Sequence, residues 1–131
     1  MGSPDNEIDR FSEELLHKVT LTRGSWLGKY EVTQAQWGMV MENNLSTFQG
    51  DDRPVERVTW DDCQEFVRRL NGKEEGAFRL PTEAEWEYAC RAGSTTAFCF
   101  RDDESDFGDH AWHRDNSGGS THPVGKKKPN A

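Results

Sequence analysis

The sequence lacks the features that define several large classes of proteins. No apolar run approaches the ~20 residues that a membrane-spanning helix needs, and the opening MGSPDNEIDR has neither the basic nor the apolar region of a secretory signal. The chain has only three cysteines, an odd number that excludes a complete set of internal disulfides. We therefore predict a cytoplasmic protein with reduced thiols and no membrane partner.

Acidic residues outnumber basic residues, and this balance argues against functions that require binding to nucleic acids. The chain has 16 basic and 24 acidic residues, for a net charge of −8. Nucleic-acid binding requires a basic patch, and the only basic run, Lys126 to Lys128, is typical of a solvated tail. We expect a protein or a small molecule as the partner, not a nucleic acid.

The 131 residues correspond to one domain with a modest core. Residues 1–17 are polar and mixed, and are interpreted as an arm. Alternating apolar and polar residues predict a half-buried strand over 18–26, followed by a second extended piece over 26–32. Residues 43–54 and everything after Gly93 lack periodicity and are predicted to be irregular. The expected fold class is α+β with much coil.

Three helix starts share one pattern, in which a threonine precedes an acid or amide by three residues. Such a pair can form a capping box, because each side chain can bond the backbone N–H of the other residue. Apolar stripes at helical spacing follow each start, and Asn71-Gly72 and Gly93 are predicted stops. The three pairs are Thr33 with Gln36, Thr59 with Asp62, and Thr82 with Glu85.

A metal site is conceivable at His110 and His113, which are spaced H-x-x-H with Asp109 and Asp115 nearby. The segment has no helical pattern that would place both imidazoles on one face, so solvent-exposed histidines are the competing interpretation. The acidic run over 102–106 lacks the spacing of an EF-hand loop and is interpreted as a solvated turn.

The cysteines do not form an obvious nucleophilic site. Cys63 and Cys90 fall on the apolar stripes of their helices and are predicted to be small buried hydrophobes. Cys99 lies between two phenylalanines, and Arg101 would lower the pKa of its thiol if both were exposed. From the residues alone, no catalytic residue stands out.

Several of these stretches together resemble the formylglycine-generating enzyme family, also called sulfatase-modifying factors. The resemblance covers essentially the whole chain and implies an α+β fold related to C-type lectin domains, with few strands. The stretches are MGSPD at the start, LGKYEVTQAQW (27–37), RPVERVTWDDC (53–63), FRLPTEAEWEYACRAG (78–93) and THPVGKKKPNA (121–131).

The resemblance also implies a chemistry, the oxidation of a sulfatase cysteine to formylglycine with copper and O₂. None of Cys63, Cys90 and Cys99 matches a catalytic, copper-binding cysteine of the family, which lies in a later part of the family domain. Cys90 matches a position that forms a structural disulfide to that later part in secreted members. Asn116 and Ser117 match the beginning of a family calcium site. The chain is therefore expected to be a partial domain that is not catalytic by itself.

Three functions remain open at this point. The chain is an inactive portion of a formylglycine-generating-enzyme-like protein, a non-enzymatic lectin-like binding module with residues 94–122 as its ligand face, or a metal-dependent oxidoreductase using His110 and His113. Trp26, Trp37 and Trp86 are expected to pack against the later part of the domain. We accordingly expect self-association or a partner that completes the fold.

Overall fold

The computed structural model describes residues 1–5, 7, 10–96, 98–100 and 106–130. The described residues form four helices and almost no β-structure, and their only β-pairing is two isolated bridges, Ser3 with Leu15 and Thr33 with Pro54. No helix in this part of the chain is long and apolar enough to cross a membrane. The helices are α1 (Gln34–Met41), α2 (Trp60–Lys73), α3 (Glu83–Arg91) and α4 (Phe107–His110).

All three predicted capping boxes are confirmed. In each, the threonine hydroxyl accepts a hydrogen bond from the backbone N–H three residues on, and the later side chain accepts one from the threonine N–H. At α3, for example, the Thr82 N–H donates to Glu85 Oε2 at 2.8 Å. Asp62 completes the second box although its side chain is one methylene shorter than that of Glu or Gln. The sequence therefore predicted the start of each long helix correctly.

One of the two predicted helix stops is wrong. Helix α3 does end just before Gly93, where Ala92 and Gly93 adopt φ values of 48° and 84°. Helix α2, however, continues through Asn71-Gly72 to Lys73. The Asn71 side chain bonds both the N–H and the carbonyl of Phe78, at 2.8 and 2.9 Å, instead of capping its own helix. A tertiary contact has thus replaced the local stop signal.

Two further predictions about irregular and extended segments are wrong. Residues 18–26, predicted as a half-buried strand, are exposed and contain no strand, because no described segment pairs with their backbone. Residues 107–110, predicted as loop, instead form the single turn of α4. There the aromatic ring of Phe107 packs against Phe98 and Phe100, with ring centroids 5.4 and 6.4 Å apart.

The chain divides into two compact units. One comprises Met1–Leu27, Pro81–His110 and Pro129–Ala131, and contains α3 and α4. The other comprises Gly28–Leu80 and Ala111–Lys128, and contains α1 and α2.

The core of the unit that holds α1 and α2 lies between these helices. Trp37 and Val40 of α1 are its buried apolar residues. The Trp37 ring stacks on Phe66 of α2, with centroids 5.1 Å apart and planes within 2°. Trp37 therefore packs within its own unit, and the expectation that it would pack against a later part of the domain is wrong. Its indole N–H donates to Asn43 at 3.1 Å.

Gln34 organises the irregular loop that follows α1. Its side chain is 3% exposed. Its Nε2 donates to the carbonyls of Phe48 and Pro54 at 2.8 and 3.2 Å, while its Oε1 accepts from Asn44 Nδ2 and the Gly50 N–H at 2.8 and 3.1 Å. One buried amide thus supplies four hydrogen bonds to a loop that has no regular structure of its own.

Candidate functional site

The candidate site is built on helix α3, which has one side that lines a cavity and another side that carries Trp86 and Cys90. Ala84, Glu87, Tyr88 and Arg91 occur at the i, i+3, i+4, i+7 spacing that places residues on one side of a helix, and all four line one cavity. Trp86 and Cys90, four residues apart, share another side. The sequence predicted a single apolar stripe here, whereas the helix has a cavity side and an aromatic side.

The cavity side is partly polar. The cavity has a volume of about 190 Å³, and Val19, Leu21 and Ser94 also line it. The Ser94 hydroxyl oxygen is buried without a hydrogen-bond partner among the described residues. Tyr88 is 72% exposed at this side of the helix. The cavity therefore combines an apolar wall, from Val19 and Leu21, with polar lining residues, Glu87 and Arg91.

An ion pair between Glu87 and Arg91 lies on the cavity side of α3. Arg91 Nε donates to Glu87 Oε1 at 2.8 Å, and the Gly2 N–H donates to Glu87 Oε2 at 3.2 Å. Burial acts to raise the pKa of Glu87, but the hydrogen bonds from Arg91 and Gly2 outweigh it and hold that pKa below its ordinary value. Glu87 is thus anionic at neutral pH and already paired, so it is a positioning group for this part of the unit.

The aromatic side of α3 is open to solvent. Trp86 is 57% exposed and Cys90 is exposed. Asn130 Nδ2 donates to the backbone carbonyls of Ala89 and Cys90, at 2.7 and 3.0 Å, without covering either side chain of the aromatic side. The prediction that Cys90 is a buried hydrophobe is therefore wrong, because no described residue packs over this side of the helix.

The other two cysteines lie apart from this surface. Cys63, predicted to be buried, is only half-buried on α2. Burial together with the Asp62 charge raises the pKa of its thiol. Cys99 is half-buried in the unit that holds α3. Arg101, the predicted neighbour of Cys99, lies outside the described residues.

Three of the four predicted metal-site residues meet in one turn. The His113 N–H donates to Asn116 Oδ1 at 2.8 Å, and the Ser117 N–H donates to the His113 carbonyl at 2.9 Å. Asn116 Nδ2 also donates to the Ala111 carbonyl at 3.0 Å. The side-chain oxygen that calcium would use at Asn116 therefore already accepts a hydrogen bond within its own loop.

His110 has a different environment and belongs to the other compact unit. Its ring stacks on Phe100 with centroids 4.4 Å apart, and its Nδ1 is buried without a partner among the described residues. Within the described part of the chain, no three His, Cys, Asp or Glu side chains converge as ligands for one metal ion.

Sequence reasoning missed the residues that shape the cavity. Glu87 and Arg91 could have been recognised as an i, i+4 ion pair on a predicted helix. No local signal connects Val19 and Leu21 to this helix, since more than 60 residues separate them from Ala84. Ser94 follows the glycine that ends α3, a position that indicates a loop but not a cavity wall.

The sequence is similar to several curated proteins. "Chaperone protein LppX" of Paenibacillus barcinonensis is 33% identical over 155 aligned positions, which cover 80% of this chain and 55% of that protein. The "Formylglycine-generating enzyme" of Mus musculus is 35% identical over 60% of this chain and 18% of the enzyme. The "Inactive C-alpha-formylglycine-generating enzyme 2" of Bos taurus is 34% identical over 65% of this chain and 26% of that protein. The chain thus spans about half, or less, of the length of these relatives.

A solved structure has the same fold. "Treponema denticola variable protein 1" superposes with a TM-score of 0.63 at 32% identity, over 77% of this chain and 56% of that protein. The family model described as "Sulfatase-modifying factor enzyme 1-like domain" matches residues 1–131. The chain therefore belongs to the family of formylglycine-generating enzymes and sulfatase-modifying factors.

Proposed function

We propose that this chain is a non-catalytic, protein-binding part of a sulfatase-modifying-factor-like protein, with a lectin-like fold. The observation that carries the proposal is the exposed aromatic side of α3. Trp86 is 57% exposed on a well-capped helix, beside the exposed Cys90. Large aromatic side chains held on a rigid helix are typical anchors of protein interfaces, because they bury much area at a small cost in conformational entropy.

The relatives support a binding role as well as an enzymatic one. One of them carries the name of a chaperone, and another that of an inactive formylglycine-generating enzyme. Chaperone-type binding requires apolar surface that is accessible in the folded protein, and the aromatic side of α3 provides it. The partner class that fits this surface is an unfolded or extended polypeptide with apolar side chains.

The chemistry of the Cys63 thiol also favours binding over catalysis at that residue. A nucleophilic or metal-binding cysteine acts as the thiolate, which a lowered pKa favours. The pKa of the Cys63 thiol is instead raised by burial and by Asp62. Oxidation of a sulfatase-type cysteine peptide by this chain with copper and O₂ would contradict the non-catalytic role.

The binding role can be tested with reduced, carboxymethylated α-lactalbumin, a permanently unfolded polypeptide. We expect Trp86→Ser to weaken binding by about tenfold, since aromatic anchors carry much of the energy of an interface. Trp60→Ser is the matched control, because Trp60 is also on a helix and is 65% exposed. Equal losses in both variants would mean indiscriminate hydrophobic association and would refute a site on α3.

We further propose that the exposed apolar surface leads to self-association or to capture of a partner. Trp26 is fully exposed and Leu27 is about half exposed, in addition to the residues of α3. Sedimentation equilibrium measures the outcome directly. A dimer, or a complex with an added polypeptide, is the expected result, and a monomer that remains unchanged in the presence of α-lactalbumin would contradict it.

A further inference from the structure

Asn71-Gly72 is the only asparagine–glycine pair in the sequence, and it lies in the last turn of α2, with Asn71 exposed. Such pairs are chemically unstable in flexible chains, because glycine has no side chain to hinder its own amide nitrogen and permits many backbone conformations. That nitrogen can then attack the side-chain carbonyl carbon of the preceding asparagine. The pair does not end the helix, and its chemistry indicates a different role, as a site of covalent modification.

The reaction needs no reagent other than water. The Gly72 nitrogen forms a bond to Cγ of Asn71 while the Cγ–Nδ2 bond breaks, and Nδ2 leaves as ammonia with the proton of the Gly72 amide. Water then opens one of two carbon–nitrogen bonds in the resulting cyclic imide. The product is aspartate or, when the main chain continues through the side-chain carbon, isoaspartate. No electrons are transferred, and the loss of ammonia makes the conversion irreversible.

The helix opposes the first step of this reaction. Helix α2 extends from Trp60 to Lys73, so Asn71 and Gly72 both have helical backbone. Ring closure needs a rotation of the Asn71 backbone that brings the Gly72 nitrogen against Cγ, and this rotation is incompatible with helical dihedral angles. The N–H of a helical residue also points along the helix toward the fourth preceding carbonyl. The pair must therefore leave the helix before it can react.

A second constraint, outside the helix, holds the Asn71 side chain. Its Nδ2 donates to the Phe78 carbonyl at 2.9 Å, and its Oδ1 accepts from the Phe78 N–H at 2.8 Å. These bonds close residues 72–78 into a loop, in which the Phe78 ring lies so near Gly76 that a Cβ there would come within 2.9 Å of it. Both polar atoms of the Asn71 amide are thus engaged, and Cγ cannot turn toward the Gly72 nitrogen until these bonds break.

Conversion would destroy the contact that restrains it. Aspartate has an oxygen in place of Nδ2, so it still accepts from the Phe78 N–H but repels the Phe78 carbonyl oxygen. Its charge is also unfavourable near the C-terminal end of a helix, where Glu74 and Glu75 already follow. Isoaspartate adds a methylene to the main chain and disrupts the last turn. Either product should therefore open the loop over residues 72–78.

We propose that Asn71 is a site of spontaneous deamidation, and that its hydrogen bonds to Phe78 set the rate. The folded chain converts slowly, each conversion follows a local opening of the last turn of α2, and the product keeps the loop open. The inference is independent of the binding role of α3, because it depends only on contacts between α2 and the loop that follows it.

The rate is measured on the full chain in mildly alkaline buffer, by peptide mass spectrometry, as the replacement of NH by O in the peptide that contains Asn71. We expect conversion in the folded chain to be slower by about tenfold or more than in the chain unfolded in urea, because the reactive conformation requires local opening. Gly72→Ala is the control for the chemistry. A Cβ built at Gly72 meets no atom of the described residues within 4 Å, so this variant should fold and should slow conversion in urea by about tenfold.

Three variants test the role of the side-chain contact. Phe78→Pro removes the N–H that bonds Asn71 Oδ1 and should speed conversion in the folded chain by about tenfold. Phe78→Ala removes the ring but retains the backbone N–H and carbonyl, so it should have a much smaller effect. Asn71→Asp reproduces one product and should speed exchange of the Phe78 amide by about tenfold, as measured by NMR. A cooperative melt of each variant verifies that it is folded.

Three outcomes would overturn the inference. The first is equal conversion at Asn71 in the folded and unfolded chains, or no conversion in either. The second is equal rates in Phe78→Pro and Phe78→Ala, which would assign the protection to the helix alone. The third is unchanged exchange of the Phe78 amide in Asn71→Asp, which would mean that the product leaves the loop closed. None of these outcomes involves the binding of unfolded α-lactalbumin through Trp86, so the proposed function stands or fails separately.

Discussion

Replacing Gln34 by alanine tests the account of how this coil-rich chain is held together. The substitution removes four hydrogen bonds, two to the carbonyls of Phe48 and Pro54 and two from Asn44 and Gly50. At about 1 kcal/mol of net stability for each bond, the loss sums to about 4 kcal/mol. Asn44 is exposed, and water can replace its bond. We therefore expect Gln34→Ala to lower the free energy of unfolding by about 2–4 kcal/mol.

The assay is urea unfolding followed by circular dichroism, with Gln36→Ala as the control. Gln36 lies in the same helix and is exposed, and its side chain accepts one hydrogen bond, from the Thr33 N–H at 2.9 Å. Loss of that bond should cost about 1 kcal/mol or less. If both substitutions destabilise the chain equally, the buried amide does not organise the loop and the reasoning is refuted.

A second substitution at the same position, Gln34→Glu, tests how the stability of the fold changes with pH. Gln34→Glu places a carboxylate against the carbonyl oxygens of Phe48 and Pro54, which its anionic form cannot bond. Burial and these oxygens should raise the pKa of the introduced group above its unfolded value of about 4.3, so folding favours the protonated form. The deficit in stability relative to the natural residue should thus shrink as pH falls from about 7 to about 5. A constant deficit across this range would contradict the hydrogen-bond assignment.

Three further predictions concern α3 and the cysteines. The pKa of Glu87 is held below its ordinary value of 4.5, so its pairing with Arg91 should stabilise the fold above that pH. The advantage in stability over Glu87→Gln should disappear as pH falls through the lower, folded pKa. An advantage that is independent of pH in urea titrations would contradict this. At pH 8, iodoacetamide should label the exposed Cys90 before Cys63, because the pKa of the Cys63 thiol is raised. Peptide mass spectrometry measures the order of labelling. The reverse order would mean that the aromatic side of α3 is covered. Thr82→Ala should destabilise the chain by about 1 kcal/mol in urea unfolding and speed amide exchange in the first turn of α3, and unchanged exchange there would rule out the cap.

Helix starts and family membership could be predicted from the sequence, because both depend on local patterns. A capping box needs two side chains three residues apart, and all three boxes form as predicted. The motifs in RLPTEAEWEYACRAG and its companions indicated the family, which the match over residues 1–131 confirms. The predicted end of α2 failed because Asn71 bonds Phe78, a contact outside the helix.

Strands and burial could not be predicted in the same way, because they depend on what lies opposite a segment. The alternation of Val19 and Leu21 marks a segment fit for pairing, but it does not supply the neighbouring strand. Likewise, the stripe of Trp86 and Cys90 indicates an apolar side of α3, and the structure leaves that side open. Both errors occur where the described chain has no partner for a feature that its local sequence encodes.

The candidate site could be predicted only in part for the same reason. The sequence located α3 and its aromatic residues, and an i, i+4 ion pair at Glu87 and Arg91 could have been inferred from it. The cavity depends on residues from distant parts of the chain, such as Leu21 and Ser94, and required the structure. Calcium at Asn116 and Ser117, and a metal at His110 and His113, stay predictions.

The measurement that tests the central claim most directly is photo-crosslinking from the aromatic side of α3. A benzophenone-maleimide is attached to Cys90 in a Cys63→Ser, Cys99→Ser background and irradiated with unfolded α-lactalbumin. The control carries the probe on α2 instead, through Asp61→Cys with Cys90→Ser, since Asp61 is also exposed. The account predicts abundant crosslinks from position 90 and few from position 61. Equal yields from both positions, or none from position 90, would contradict a polypeptide-binding site on α3.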